Sequence, residues 1–565
     1  MYLSAVYIEV QRGLSELDFA VLQRSCRMRN GGFDVRRGSV ISFIASVICA
    51  SGASSGLTIQ IKDYATMPVT GALDGPGNSA GLLARINFLR EEPGGGRKRL
   101  FVNDLNGALY ILDTETRKTT TYLDFNGLPG KPGIFHRLAI DQLLASGFIS
   151  FEFDPDYAHN GKFYTIHLED PGMEASNLPD NKSFPRLNTS GYAATPAIPT
   201  FGVTEREAVL IEWTDTNISN STFEGSAREL MRVQYTGRIH PMGDLIFNPT
   251  ARPGDPDWRV MYIAAGDGGN GEQTSDVRSN PQRLDMLVGK ILRIIPDLKE
   301  HAGRSTISEN GRYRIPNDNP FTSKQGARKE IWACGLRNPH RLTWDVDPSS
   351  RANHHLIALV IGLRTWETVD IIHKGANYGY SLREGPQQLN ADNSLSSPPQ
   401  NDVIPVQIDA NKTDGTVRPT YPVIAYGHSR EAGIIAIANG FVYRGNAIPA
   451  LRGKFLFADI TSGRLWWADM TEMVTADDGD PKTMATMHEV KIAWNEKVYP
   501  SMAPVNEIAY HARGGKAEHL PGAERAPGGR SDVRLAMDAA GELYIMTKSD
   551  GIIRAIVSVA EPDSK

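Results

Sequence analysis

Short apolar runs of strand length recur along the chain, each followed by a turn signal and then by a second apolar run. Six segments share this pattern, at 99–113, 147–170, 243–269, 340–362, 453–470 and 532–557. In several of them a glycine turn separates the two runs, as at Asn106-Gly107, Asn160-Gly161 and Ala540-Gly541. Alternating apolar residues around such a turn are a strong signal for a β-hairpin, whereas long amphipathic helical patterns are scarce. The pattern therefore predicts an all-β protein.

The sixfold repetition of the hairpin pattern predicts a ring of similar units. We expect a six-bladed β-propeller of four-stranded antiparallel blades over residues 57–560. A closed ring of blades is favoured over a β-sandwich because the ring leaves no sheet edge exposed, whereas a sandwich does. The uneven spacing of the repeats requires loop insertions, which we place at 171–226, 386–415 and 510–531. Such insertions either shape a binding mouth or form only mobile surface.

Charge and cysteine content exclude several classes of protein. The chain has 565 residues, 41% of them hydrophobic, and a formal net charge of −5 with acids and bases intermixed. This balance gives no electrostatic signature of nucleic-acid or anionic-membrane binding. Its three cysteines, Cys26, Cys49 and Cys334, form no CxxC pattern or Cys/His metal pattern. Attached haem, structural zinc, iron–sulfur clusters and a disulfide framework are therefore not expected.

Residues 1–53 have the order of a secretory signal. Arg36 and Arg37 precede an apolar run over 40–50, and the small residues Ser51-Gly-Ala53 follow it. The run is too short to span a bilayer, so we expect a cleaved signal and a periplasmic or extracellular protein without a membrane span. Translation starting at Met28 would give the signal its usual length. The alternative is a buried N-terminal strand.

Several longer segments, in the same order along the chain, resemble the glucose/sorbosone dehydrogenase family, the soluble sugar dehydrogenases that use pyrroloquinoline quinone. The segments are GFISFEFDPDYAHNGKFYTIH (147–167), HPMGDLIFNP (240–249), MYIAAGDGGNG (261–271), GKILRIIPD (289–297), EIWACGLRNPHRLTWD (330–345), ETVDIIHKGANYGYSLREG (367–385) and NGFVYRGNAIPALRGKFLFADITSGRLWW (439–467). The resemblance runs from about Arg85 to Ile556, although Asp154 stands where the family commonly has histidine.

The resemblance implies a set of site residues. His240 matches the catalytic histidine of the family, and a neutral imidazole suits a base that takes the hydroxyl proton of a sugar. Arg337 matches a cofactor-contacting arginine, and Asn338 would orient its loop. Arg444 and, more weakly, Arg464 match basic residues over the cofactor; the alternative for all three arginines is a surface salt bridge. We expect His240, Arg337 and Arg444 to converge at one mouth of the propeller.

The same resemblance implies a calcium ion that polarises the quinone. Asp267, in GDGGNG, could bind calcium or cap a turn. The backbone carbonyl of Gly362 could serve as a ligand, because the family binds calcium with loop carbonyls at this point. The run ALVIGLR (358–364) departs from the family, since Val360 replaces an acidic residue there.

The expected function is oxidation of an aldose, or a related alcohol, at its anomeric carbon to the lactone. Because the sequence has no haem motif, the electrons would pass to an external acceptor. One alternative is a propeller of the same family that binds a ligand or a protein without redox chemistry, as the animal hedgehog-interacting proteins do. A second alternative is a calcium-dependent lactonase-like hydrolase, for which the sequence shows no convergent ligand set.

Overall fold

Antiparallel strands are the main regular structure in a computed structural model that describes residues 56–71, 81–94, 99–141, 145–347, 354–522 and 529–560. The predicted signal region, 1–53, and the possible start at Met28 lie outside the described residues. Helices are few and short: α1 (Tyr157–Asn160), α2 (Met470–Ala476) and α3 (Met502–Ala512), with 3-10 turns at Asn270–Glu272, Asp276–Ser279, Ala302–Arg304, Pro449–Leu451 and Ala517–His519. The all-β prediction is confirmed.

The first half of the chain forms three sheets. Strand β1 (Leu57–Thr66) is followed by a four-stranded sheet of β2 (Ile86–Glu91), β3 (Arg99–Asp104), β4 (Ala108–Asp113) and β5 (Thr119–Asp124). A five-stranded sheet contains β6 (Phe148–Phe153), β7 (Lys162–Glu169), β8 (Leu187–Asn188), β9 (Arg206–Asp215) and β10 (Gly225–Tyr235). The next sheet contains β11 (Met242–Phe247), β12 (Met261–Ala265), β13 (Lys290–Ile294) and, after the ribbon β14 (Ser305–Ile307) and β15 (Arg314–Pro316), β16 (Ile331–Cys334).

The second half of the chain completes the sheets. A four-stranded sheet contains, in spatial order, β17 (Asn338–Val346), β18 (His354–Ile361), β19 (Trp366–Ile371) and β25 (Ile424–Gly427). Between β19 and β25 in the chain come two small sheets, one of β20 (Arg383–Glu384), β21 (Gln387–Leu389) and β22 (Leu395–Ser396), the other of β23 (Ile404–Gln407) and β24 (Thr413–Val417). The last, nine-stranded sheet contains β1 together with β26 (Ile437–Val442), β27 (Lys454–Asp459), β28 (Leu465–Asp469), β29 (His488–Trp494), β30 (Lys497–Tyr499), β31 (Val533–Met537), β32 (Leu543–Thr547) and β33 (Ile552–Ala560). It is continuous because β1 pairs with both β29 and β33.

Six strands, each the innermost of its set, contact one another in a closed sequence. Strand β2 contacts β6, β6 contacts β11, β11 contacts β17, β17 contacts β26, β26 contacts β31, and β31 contacts β2. Residues at similar levels meet across this ring; Asn87, second in β2, donates at 2.7 Å to the carbonyl of Ile149, second in β6. Arg90, fifth in β2, likewise donates at 2.7 Å to the carbonyl of Phe151, fourth in β6, so these neighbouring strands run in the same direction, as we take all six to do. We call the end where they begin the leading end and the end where they finish the trailing end.

Apolar side chains fill the spaces between neighbouring sheets. Between the first two sheets, Phe125 and Phe148 stack with ring centroids 4.0 Å apart, and Trp213 is fully buried against them. Trp213 lies on β9, inside the predicted insertion 171–226, so this part of the insertion prediction is wrong. The segment AVLIEW is buried on both faces and pairs with β7 and β10, although polar residues flank it. In the described part of the chain, no helix is long and apolar enough to cross a membrane.

Candidate active site

A histidine and an aspartate are paired at the leading end. His240 lies just before β11 with its backbone in the left-handed region, at φ 53°, which is uncommon for a residue with a side chain. Asp267 follows β12, and its Oδ1 lies 2.7 Å from Nδ1 of His240. The buried carboxylate also accepts the backbone N–H groups of Gly269 and Gly271, at 2.9 Å each. Asp267 is therefore fixed in place. Because it contacts Nδ1 of His240, the other ring nitrogen, Nε2, remains available to another partner.

The protonation states of this pair follow from its surroundings. Burial lowers the pKa of His240, and the nearby charge of Arg337 lowers it further, while Asp267 opposes both effects. Burial tends to raise the pKa of Asp267, but His240, Arg337 and the Gly271 N–H outweigh it, so the pKa lies below its ordinary value. At neutral pH the pair is therefore a neutral imidazole held by a carboxylate, which is the state a general base requires.

Arg337 stands beside this pair, immediately before β17. Its backbone carbonyl accepts the N–H of Asp267 at 2.7 Å, which ties the two loops together. The guanidinium donates to the carbonyls of Ile361, at 3.2 Å, and Gly362, and it forms an ion pair with Glu272. Burial disfavours the charged form of the Arg337 guanidinium. The nearby groups, including the carboxylates of Glu272 and Asp267, outweigh this effect and raise the pKa of Arg337 above its ordinary value. Its Nε is buried without a hydrogen-bond partner among the described residues.

Tyr380 is a member of this group that the sequence analysis did not single out. Its ring packs so closely on Gly271 that a Cβ at that glycine would lie 2.3 Å from the tyrosine hydroxyl oxygen. The hydroxyl is buried and has no hydrogen-bond partner in the part of the chain that the structure describes. Burial and the charge of Asp267 raise the pKa of Tyr380, so it stays a neutral donor. Its only sequence signal was its place in GANYGYSL, within a segment that carries the family resemblance.

The turn after β18 presents its carbonyls to Arg337 because a carboxylate holds the turn from behind. Oε1 of Glu384 accepts the consecutive backbone N–H groups of residues 363–366, at 2.8–3.3 Å. Gly362 begins this turn, where a Cβ would lie 1.6 Å from the carbonyl oxygen of Trp366. Only glycine fits so close an approach. Asn338, buried at the start of β17 and opposite Ile361, leaves its Oδ1 without a partner among the described residues.

Two of the predicted site residues lie elsewhere. Arg444 forms a two-pronged ion pair with Asp345, at 2.9 and 2.8 Å. Asp345 lies seven positions beyond Asn338 on β17, or about 23 Å of extended strand, so Arg444 is at the trailing end. Arg464 turns outward to Glu489, at 2.6 Å. The expected convergence of Arg444 with His240 and Arg337 is therefore wrong, because β26 carries Arg444 at its far end.

Instead, the last sheet supplies a buried cation at the leading end. Lys548 follows β32 and is only 4% exposed. Burial lowers the pKa of its amine strongly, and the neighbouring guanidinium of Arg534 adds to the effect, while Asp532 opposes it. No sequence pattern marks Lys548, because a single lysine after a strand is ordinary.

The fold and this site define an all-β protein with a histidine–aspartate pair and buried cations at the leading end of its inner strands. The model of the Glucose / Sorbosone dehydrogenase family matches residues 234–499, which include the pair and Arg337. This chain is thus glucose/sorbosone dehydrogenase-like, and the resemblance expected from the sequence is confirmed.

Two curated relatives and one solved structure indicate how far the similarity reaches. The chain is 28% identical to the HIPL1 protein of Arabidopsis thaliana over 66% of its own length and 50% of the relative's. It is 25% identical to the human Hedgehog-interacting protein over 45% of its length and 30% of the relative's. The chain thus spans half or less of these curated relatives. The apo soluble aldose sugar dehydrogenase of Escherichia coli has a similar fold, with a TM-score of 0.51, 16% identity, and coverage of 89% of this chain and 100% of that one.

Proposed function

We propose that this protein is a quinone-dependent sugar dehydrogenase that oxidises the anomeric carbon of an aldose to the lactone. The observation that carries the proposal is the His240–Asp267 pair, held at 2.7 Å beside the buried guanidinium of Arg337. The reaction requires a base that removes the hydroxyl proton and a cation that stabilises the reduced, negatively charged acceptor, and both are present at this mouth.

Each residue of the pair has a distinct part in the proposed reaction. Nε2 of His240 accepts the proton of the anomeric hydroxyl, since Nδ1 is engaged by Asp267. Asp267 keeps the imidazole in one orientation and stabilises the imidazolium that forms. The chemistry that pyrroloquinoline quinone supplies when bound is acceptance of the hydride from the alcohol carbon. Electrons would then leave to an external acceptor.

The residues at the leading end fit a quinone that carries carboxylates. Two buried donors, Nε of Arg337 and the hydroxyl of Tyr380, lack a hydrogen-bond acceptor among the described residues, and the buried amine of Lys548 lies at the same end. Unsatisfied buried donors are costly, and acceptor oxygens of a ligand would remove that cost. These three side chains would hold the quinone, with Asn338 beside Arg337.

The same residues do not fit a calcium ion in the arrangement described. The carbonyls of Ile361 and Gly362 accept hydrogen bonds from Arg337, which is a cation, and Val360 brings no carboxylate. Across the described residues there is no group of three or more His, Cys, Asp or Glu side chains placed to hold a metal. Asp267 is committed to His240 and two backbone N–H groups. We therefore assign calcium no step, and nothing described here supports the lactonase-like hydrolase.

We also propose the finer architecture and the location. The closed sequence of contacts among the six inner strands supports a six-bladed propeller, with β1 completing the last blade. The order of basic, apolar and small residues before Ser54 supports export to the periplasm or the medium. N-terminal sequencing of the protein from its native host tests the second point, and retention of residues 29–50 would contradict it.

A binding protein without redox activity is the second candidate. The ion pair of Arg337 with Glu272 and its bonds to two carbonyls engage the guanidinium that a quinone would need. The relative named Hedgehog-interacting protein is in line with this candidate.

Titration of the purified protein with pyrroloquinoline quinone separates the two candidates. We expect a quinone absorbance that stays with the protein through gel filtration, and aldose oxidation that reduces a dye. The activity should persist when the assay contains a calcium chelator and no added calcium. Quinone binding without any aldose oxidation, or no quinone binding with and without calcium, would replace the dehydrogenase with the binding protein. Arg464→Gln is the matched control, since Arg464 points away from the site.

A further inference from the structure

A second cavity lies at the trailing end of the inner strands, away from the site described above. Its volume is about 350 Å³, within the usual range of about 300–1,000 Å³ for small-molecule sites. All six inner strands contribute to its wall, through residues that include Phe88, Phe153, Phe247, Thr343, Phe441 and Met537. His240, Asp267 and Arg337 do not line it.

The floor of this cavity contains a buried arginine that forms no ion pair with a described residue, although the charge of Asp244 lies near it. Arg341, in the middle of β17, is 2% exposed. Its guanidinium donates only to neutral oxygens: the carbonyl of His340 at 2.7 Å, the side chain of Asn87 at 2.8 Å and the carbonyl of Gly243 at 3.3 Å. Among the described residues no carboxylate lies within ion-pair distance of it, and its Nε has no partner. A buried charge in this state is unfavourable unless an anion joins it.

The nearby carboxylates are already committed. Asp244 accepts hydrogen bonds from the backbone of Leu245 and Leu342, at 2.9 and 3.0 Å, and it lies 3.3 Å from Arg90. Glu152 forms an ion pair with Arg90 at 2.8 Å. A second guanidinium, that of Arg534, donates to the same oxygen of Asn87 at 3.3 Å, so two cations share one neutral acceptor. Glu91 and Asp154 also line the cavity, but Glu91 accepts the backbone N–H of Ala539 and Asp154 pairs with Arg259. Next to Arg341, the guanidiniums of Arg90, Arg341 and Arg534 thus stand against the two carboxylates of Asp244 and Glu152.

The walls above this floor are mainly apolar. The ring of Phe88 lies 4.2 Å below the guanidinium of Arg341, which keeps one face of the cation away from water. Phe441, on β26, and Leu535 and Met537, on β31, extend this apolar wall. A guanidinium binds a carboxylate through two parallel hydrogen bonds, and an apolar wall binds the body of a ligand.

We infer that this trailing-end cavity binds a small organic carboxylate with an apolar or aromatic body, whose carboxylate pairs with Arg341. The site is separate from the sugar mouth, so it does not depend on the proposed dehydrogenase activity. Inorganic anions would satisfy the charge but would leave the aromatic walls unfilled.

Isothermal titration of the full chain with benzoate, and with the neutral benzamide of the same shape, tests the inference. We expect benzoate to bind at least 10-fold more tightly than benzamide, because only the anion pairs with Arg341. Arg341→Gln should lose that preference. Arg252→Gln is the matched control, since Arg252 lines the same cavity, is exposed, and donates only to the carbonyls of Pro249 and Ala251. His240→Ala should bind benzoate as the parent does.

Met537→Trp provides a test that leaves the guanidinium of Arg341 in place. This residue is partly buried at the cavity wall, and the larger ring should fill the space and weaken benzoate binding at least 10-fold. Equal affinity for benzoate and benzamide, absence of benzoate binding, or unchanged binding in both Arg341→Gln and Met537→Trp would overturn the inference. Displacement of benzoate by chloride or phosphate at equal concentration would also overturn it, because the apolar walls would then contribute nothing.

Discussion

The Nδ1 atom of His240 and the Oδ1 atom of Asp267 lie 2.7 Å apart, although the two residues are 27 positions apart in the chain. His240 precedes strand β11 and Asp267 follows strand β12, its antiparallel neighbour, so the sheet brings the two loops to the same end. The carboxylate is fully buried, and two backbone N–H groups hold it. It can therefore fix the imidazole without itself moving toward a substrate.

Asp267→Asn should reduce dye-linked aldose oxidation by about 100-fold or more while quinone binding is kept. The amide cannot stabilise an imidazolium, and it favours the wrong tautomer of His240. Steady-state kinetics of the quinone-loaded protein measure the loss. Asp345→Asn is the control for removing a buried carboxylate, because Asp345 pairs with Arg444 at the trailing end. Parental activity in Asp267→Asn would exclude the paired histidine as the base.

The pH profile should show an acid limb set by His240. Burial and Arg337 hold the pKa of His240 below the ordinary 6.5, so kcat/KM should rise with pH along a limb whose midpoint lies below pH 6.5. Asp267 raises this pKa, so Asp267→Asn should move the limb to still lower pH. Because the unfolded chain takes up this proton first, the contribution of His240 to the free energy of unfolding should fall as pH falls below 6.5. A limb above pH 7 would contradict the assignment.

Glu272→Gln should tighten quinone binding severalfold. Glu272 pairs with the guanidinium of Arg337, and a neutral amide would free that cation for the carboxylate or quinone oxygens of a ligand. Arg337→Gln should weaken the same binding about 10-fold or more, since it removes the cation altogether. Equilibrium titration followed by quinone absorbance measures both effects. Weaker binding in Glu272→Gln would mean that Glu272 helps to hold the ligand.

Gly362→Ala should destabilise the protein by roughly 1–3 kcal/mol, the usual cost of forcing atoms into a packed site. The new Cβ would lie 1.6 Å from the carbonyl oxygen of Trp366, so the turn held by Glu384 must shift. Gly303→Ala is the matched control, because nothing lies within 4 Å of a Cβ at Gly303. Thermal unfolding measures both variants, and equal melting temperatures would show that the turn adapts without cost.

Local sequence pattern determined the hairpins, the all-β class and part of the site. Alternating apolar residues around Gly107 or Gly161 define a hairpin through contacts a few residues apart, so no long-range information is needed. His240, Asp267 and Arg337 stand in segments whose residue types and order mark the family. Strand β9 was missed because burial on both faces removes the alternation that marks a strand with one exposed face.

Only the tertiary structure decided which side chains meet. Arg337 and Arg444 look equivalent in sequence, yet one lies before an inner strand and the other after one, so they reach opposite ends of the ring. Tyr380, Lys548 and Arg341 carry no local pattern, because their environments are made by residues from other sheets. A side chain's partners, burial and pKa depend on neighbours that are far away in the chain. The sequence specifies those neighbours only through the complete fold.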